Sequence, residues 1–150
     1  MAENRIALRP VAQADRQVWG ALWGAYLDFY ESTLPAETYD TAFDRLLSDD
    51  PATFQGLLAW DDDTALGLVH WVQHPHMWRP EGVVYLQDLF TIPEARGQGV
   101  ARQLIEAVYA SADAAGSPRV YWLTRQDNHT ARQLYDRIGR LSPFLKYERA

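Results

Sequence analysis

Residues 83–91 are the most strongly strand-like stretch of this chain, and Pro93 ends it. Gly97 and Gly99 follow in a tight turn. Val100, Leu104, Ile105, Val108 and Ala112 then recur at helical spacing. A strand, a glycine turn and a helix start in this order commit the chain to an α/β architecture, because the helix must pack back on the sheet. The same segment makes an anion site. The first turn of a helix leaves backbone N–H groups unpaired, and the helix dipole adds positive potential there. Glycine lets a ligand approach the backbone, and Arg96 brings a cation beside it. Read alone, the turn could equally be a plain connection with Arg96 in solvent. The dinucleotide and P-loop fingerprints do not match, for want of a third glycine and of a Lys-Ser/Thr pair.

The rest of the chain builds outward from this segment. Residues 6–9 alternate before Pro10 and predict a first strand. Val18, Leu22, Ala25, Tyr26 and Phe29 predict a first helix, and Pro35 opens a second carrying Phe43, Leu46 and Leu47. Residues 53–60 and 65–72 predict a hairpin turning at Asp61-Asp62-Asp63. Residues 74–82, with two prolines and a glycine, predict a loop. Gly116-Ser117-Pro118 ends the long helix. A buried strand at 120–124 follows, then a helix from Asn128 to Gly139 and a last strand at 144–147. The hairpin strands are antiparallel and the later ones are joined by helices, so the sheet is mixed.

Composition narrows the function. The chain has 150 residues, of which 47% are apolar, so one domain over 1–150 with a sizeable core is expected. A net charge of −6 with no basic run argues against nucleic acid as a partner. The absence of cysteine excludes disulfides, thiolate metal sites and a cysteine nucleophile. No apolar run is long enough to span a membrane, and residues 1–5 lack the apolar core of a signal peptide, so a cytoplasmic protein is expected. His70, His74 and His76 lack a convincing metal-ligand spacing, and no metal is expected.

The pattern Arg96-Gly97-Gln98-Gly99-Val100-Ala101, after a strand and opening a long helix, resembles the pyrophosphate-binding motif of the GNAT N-acetyltransferase superfamily. Asn128 and Tyr135 on the next helix extend the resemblance, which covers nearly the whole chain. Tyr85-Leu86-Gln87-Asp88-Leu89-Phe90 is similar to the diamine (spermidine/spermine) branch. The resemblance implies a single GNAT-like α/β domain. Its mixed sheet would have six to seven strands, splayed at the centre and flanked by about four helices. It also implies acetyl-CoA as co-substrate and, commonly, a homodimer. The function implied is direct acetyl transfer to a primary amine of a small molecule (polyamine- or amino-acid-like) or of a peptide or protein. A non-catalytic acyl-CoA-binding module is the alternative.

The resemblance also implies roles for residues. Leu89, Phe90 and Thr91 would pair with the pantetheine arm, and the N–H of Leu89 or Phe90 would polarise the thioester oxygen. Arg96, Gly97, Gln98, Gly99, Val100 and Ala101 would hold the pyrophosphate. Asn128 would contact the cofactor, and also reads as a helix N-cap. Tyr135 would protonate the leaving thiolate, and also reads as a core aromatic. Asp88 is expected as base or amine anchor, because a carboxylate in an apolar strand is costly unless used or paired. Strand alternation sends Gln87 and Asp88 to opposite faces. The diamine branch often has Glu where Gln87 stands, and glutamine cannot take a proton. Tyr30, Glu31, Gln87 and Trp78 are the expected acceptor-side residues, since aromatics and carboxylates suit a cationic amine.

Overall fold

A computed structural model describes residues 5–150, and residues 1–4, part of the stretch read for a signal peptide, lie outside it. The order is β1 (Ile6–Pro10), α1 (Arg16–Phe29), α2 (Ala36–Leu47), β2 (Gln55–Asp61), β3 (Thr64–His76), β4 (Arg79–Thr91), α3 (Val100–Ala114), β5 (Val120–Tyr121) and α4 (His129–Ile138). The strands form one sheet in the order β1-β2-β3-β4-β5. All pairings are antiparallel except β4 with β5. This is the mixed α/β sheet expected, with four α-helices and, among the described residues, five strands rather than six or seven.

The faces of the sheet bury two separate cores. Val84, Leu86 and Trp71 pack against Leu104, Ile105 and Val108 of α3. Leu58, Leu68 and Phe90 pack against Trp19, Trp23 and Leu27 of α1 and Phe43 of α2. The buried stripe of α1 is therefore Trp19, Leu22, Trp23 and Leu27, one position away from the one expected, and Val18 and Phe29 are exposed. Both stripes have helical periodicity. The bulkier one, with two tryptophans, removes more apolar surface from water.

One irregularity decides where the polar residues of β4 go. His70 of β3 pairs with Asp88, yet the next residue, Trp71, pairs with Leu86. Gln87 is the extra residue of a β-bulge. Side chains alternate along a strand, and one inserted residue reverses the alternation beyond it. Val84 and Leu86 thus face α3, whereas Asp88 and Phe90 turn to the α1–α2 side.

Three expected elements differ. Residues 74–82 are not a loop: β3 runs to His76 and β4 starts at Arg79, leaving Met77 and Trp78 at the tip. The two prolines are tolerated because the register shifts between His74 and His76, and no ladder pairing of β3 with β4 includes Pro75 or Pro80. β5 stops at Tyr121 rather than reaching residue 124. The strand at 144–147 does not form, since the short β5 offers no ladder to extend, and Phe144, Leu145 and Tyr147 are exposed. Among the described residues, no helix is long and apolar enough to cross a membrane.

Candidate active site

β4 and β5 part company where the chemistry is expected. Their parallel pairing covers only Val84–Val120 and Tyr85–Tyr121, with the two tyrosine rings stacked 4.9 Å apart at the junction. β4 then continues to Thr91 without β5 beside it. That edge, the turn after it, α4 and the end of α1 (Tyr26, Phe29 and Tyr30) surround a cavity of about 650 Å³. Leu89, Phe90, Thr91, Arg96, Gly97, Gly99, Val100, Ala101, Asn128, Tyr135 and Tyr30 line it. Most of the residues expected around the co-substrate are thus brought together. Gln98 is not among them; its side-chain amide donates to the Glu94 carbonyl at 3.4 Å.

The glycine turn has the form of an anion cradle. Gly97 and Gly99 have φ of 81° and 82°, the left-handed region that glycine adopts without strain. Gly99 is the N-cap of α3, and no side chain caps the first turn. A Cβ at either glycine would meet nothing within 4 Å, so the space over the turn is open. Arg96 is exposed beside it, its Nε donating to the Thr91 carbonyl at 3.4 Å. Thr91 Oγ1 is buried and has no partner. Open first-turn N–H groups, a flanking arginine and an unsatisfied hydroxyl fit a ligand with phosphates and a polar arm.

α4 sets Tyr135. The Tyr109 hydroxyl of α3 donates to the Ile138 carbonyl at 2.8 Å and ties down the end of α4. Tyr135 meets Trp122 edge to face at 5.5 Å. Burial, and then Tyr30 nearby, push its phenol up to about 12. Asn128 is the N-cap residue of α4, but its amide donates to Thr124 Oγ1 at 3.2 Å rather than capping.

Asp88 lines a second cavity of about 340 Å³, together with His70, Gln87 and Arg45. Because of the bulge, Gln87 and Asp88 share this cavity instead of facing opposite ways. Trp19 Nε1 donates to His70 Nε2 at 2.9 Å. An indole can only donate, so Nε2 accepts and the single proton of a neutral imidazole sits on Nδ1. His70 Nδ1 therefore donates to Asp88 Oδ2 at 2.8 Å. Trp23 Nε1 donates to the same oxygen at 3.2 Å. Burial first, and then the nearby Asp88 carboxylate, raise the Tyr26 phenol well above its ordinary value. Asp88 is a buried carboxylate with two neutral donors, His70 and Trp23, both on Oδ2, and no cation among its described contacts.

Two expected acceptor residues lie elsewhere. Trp78 stands in neither cavity; at about 3.3 Å per residue its hairpin tip is roughly 30 Å along β4 from Asp88. Glu31 is exposed just past the end of α1, with φ of 54°. Conversely, Trp19, Trp23 and His70 were not anticipated as site residues. Two signals pointed to them: the four-residue spacing of the tryptophans, and a lone histidine in an apolar strand, which needs a buried partner. Among the described residues there is no cluster of three metal-ligating side chains.

Comparison with known proteins places these features in context. The model of the acetyltransferase (GNAT) family matches residues 19–139. The chain is 37% identical to a D-amino-acid N-acetyltransferase of Saccharomyces cerevisiae, over 99% of this chain and 93% of that one. An aminoglycoside N-acetyltransferase solved with CoA superposes with a TM-score of 0.82 at 19% identity, covering 100% of this chain and 99% of that one. A ribosomal-protein-alanine N-acetyltransferase of Brucella melitensis biovar Abortus gives 0.77 at 19% identity, over 97% and 98% of the two chains.

Proposed function

We propose, from the premise that this chain belongs to the GNAT acetyltransferase family and is an acetyl-CoA-dependent N-acetyltransferase, that its acceptor is the primary amine of a small amino-acid-like molecule held at Asp88. In this reading residues 1–150 act as one domain. The observation that carries it is the buried Asp88 carboxylate, whose two hydrogen-bond donors are both neutral. A carboxylate offers about four acceptor positions. Two are taken, both on Oδ2, and the remaining oxygen suits an ammonium that would neutralise the buried charge. The modest size of the Asp88 cavity, near the bottom of the roughly 300–1,000 Å³ range of ligand pockets, favours a small acceptor over a protein. The identity with a D-amino-acid N-acetyltransferase supports the same class.

The roles divide along β4. Arg96, Gly97, Gly99 and the N–H groups opening α3 hold the pyrophosphate, while the free edge of Leu89, Phe90 and Thr91 holds the pantetheine arm and Asn128 closes over it. Acetyl-CoA bound there supplies the activated acetyl group. The N–H of Leu89 or Phe90 donates a hydrogen bond to the carbonyl oxygen, where charge develops. Tyr135 stays protonated throughout the physiological range and donates to the sulfur. Full transfer from a phenol at about 12 to a thiolate whose thiol titrates near 8.5 is uphill by about 5 kcal/mol, so the hydroxyl acts chiefly as a hydrogen-bond donor.

Asp88 is the anchor rather than the base in this reading. Gln87 cannot take a proton. The ammonium loses its proton to water before attack, so kcat/KM should climb about tenfold per pH unit below the amine's own pKa and level off above it.

The test is CoA thiol release with amino acids of both hands, their amides, polyamines and a peptide N-terminus. Fastest turnover of free amino acids is expected. Fastest turnover of polyamines or peptides would overturn the acceptor class.

A cytoplasmic homodimer belongs to the same reading. Its support is the segment after α4, where Leu141, Phe144, Leu145 and Tyr147 are 76%, 81%, 82% and 91% exposed, more apolar surface than a monomer ordinarily leaves in water. Light scattering should give a dimer that a chain ending at residue 142 does not form; a monomeric full chain would overturn it.

A further inference from the structure

We infer that Arg45 is the specificity residue of the acceptor cavity and binds the acceptor's α-carboxylate, so that the site is built for zwitterions. The inference rests on the reading of Asp88 as the ammonium anchor and adds to it the group that recognises the other end of the molecule.

Three observations carry it. Among the residues lining the cavity, Arg45 is the only cationic side chain and Asp88 the only carboxylate, His70 being neutral in its tautomer. The two charges stand at different depths: Asp88 is buried and Arg45, on the last turn of α2, is exposed. Arg45 also has no ion pair or hydrogen bond from its side chain among the described residues. Arg16, by contrast, is tied to Asp40 of the same helix α2 at 3.0 Å.

The charge arrangement sets a binding direction. A zwitterion enters with its ammonium towards Asp88, deep against β4, and its carboxylate towards the rim. Arginine matches a carboxylate with two parallel N–H bonds, and its long side chain reaches inward from the rim. Between the two charges, Leu34, Leu46 and Phe54 offer apolar walls. The acceptor's own side chain would lie against them, which favours uncharged amino acids over lysine-like or acidic ones. A polyamine, cationic at both ends, would meet repulsion from Arg45.

The experiment compares kcat/KM for one free amino acid and for its amide, which keeps the amine and loses the carboxylate. The enzymes are wild type, Arg45→Ala, and Arg119→Ala as a control for net charge, Arg119 being exposed and outside both cavities. Wild type should favour the acid. In Arg45→Ala the acid-to-amide ratio should fall roughly 10- to 100-fold, mostly through KM for the acid, the range expected for a hydrogen bond to a charged group. In Arg119→Ala the ratio should hold. A ratio unmoved by Arg45→Ala, or moved equally by Arg119→Ala, overturns the role of Arg45 while leaving the Asp88 site standing. A wild-type enzyme that turns over neither acid nor amide, but does acetylate polyamines or peptides, overturns the Asp88 reading and this inference together.

Discussion

In the reading proposed above, one cavity along β4 takes the co-substrate and the other the acceptor, and the two are built in different ways. The co-substrate side is made largely of backbone: a strand edge released by β5, two glycines with positive φ and the open first turn of α3. Most of it lies within residues 89–101. The acceptor side is made of side chains from distant parts of the chain, with Trp19 and Trp23 from α1, His70 from β3 and Asp88 from β4. Neighbours along the chain can line the first kind of site almost regardless of side chain. The second kind exists only if the fold brings four separate groups into register. A backbone site is suited to a constant ligand, and a side-chain site can be retuned for a variable one.

If that division is real, a variant on one side should leave the other intact. Asp88→Asn is the most severe case. Asparagine keeps the shape but removes the buried negative charge, so an ammonium loses its partner. Removing one member of a buried charged pair costs about 2–5 kcal/mol, and kcat/KM for the amine should fall roughly 30- to 4,000-fold. CoA affinity, measured by titration calorimetry, should move less than about twofold. Parallel losses in both would mean that the two cavities are one cooperative site.

Tyr135→Phe probes the co-substrate cavity. Losing one hydrogen bond to developing charge should lower kcat roughly 10- to 100-fold and leave CoA binding intact. The pH profile of the wild type sharpens the assignment. Tyr135 donates only while protonated, that is, below its own pKa, which burial has raised to about 12. The activity of the wild type should therefore hold through pH 10 and 11 for as long as the protein stays folded. A decline centred on pH 10, absent from Tyr135→Phe, would mean that this phenol titrates like one in water and is not shielded.

The same division explains what could be read in advance. The co-substrate side was legible because its signals are contiguous: Pro93 ending a strong strand, Gly97 and Gly99, then an apolar helical stripe. Asp88 was legible as an oddity, a carboxylate in an apolar run, but its surroundings were not. The reason is the bulge at Gln87, which no local composition marks and which reverses the faces of every β4 residue beyond it. Two-residue alternation sent Gln87 and Asp88 apart, and the bulge returned both to one cavity. The offset of one position on α1 had a similar origin. Val18-Leu22-Ala25 and Trp19-Leu22-Trp23 are both periodic, and only the partner surface selects between them. Residues 144–147 show the limit from the other side. Their apolar pattern is strand-like, yet a strand needs an edge to join, and no pattern within the segment reports whether one is free.

The smallest expected effect tests whether the glycine turn is a binding device or only a connection. At Gly99, φ is 82°, so alanine there is strained by about 1–2 kcal/mol although its Cβ would meet nothing within 4 Å. Gly116, at the other end of α3, supplies the matched control: its φ is 72° and its Cβ space is likewise empty. Gly99→Ala and Gly116→Ala should therefore lower Tm by similar amounts, roughly 2–8 °C for a domain of this size. Only Gly99→Ala places a methyl group and a distorted backbone at the turn proposed to hold the pyrophosphate. It alone should weaken CoA, by a few-fold, and neither variant should change the acid-to-amide preference proposed for the Asp88 cavity. Equal CoA affinity in the two variants would reduce the turn to a connection and leave Arg96 as the sole recognisable phosphate contact.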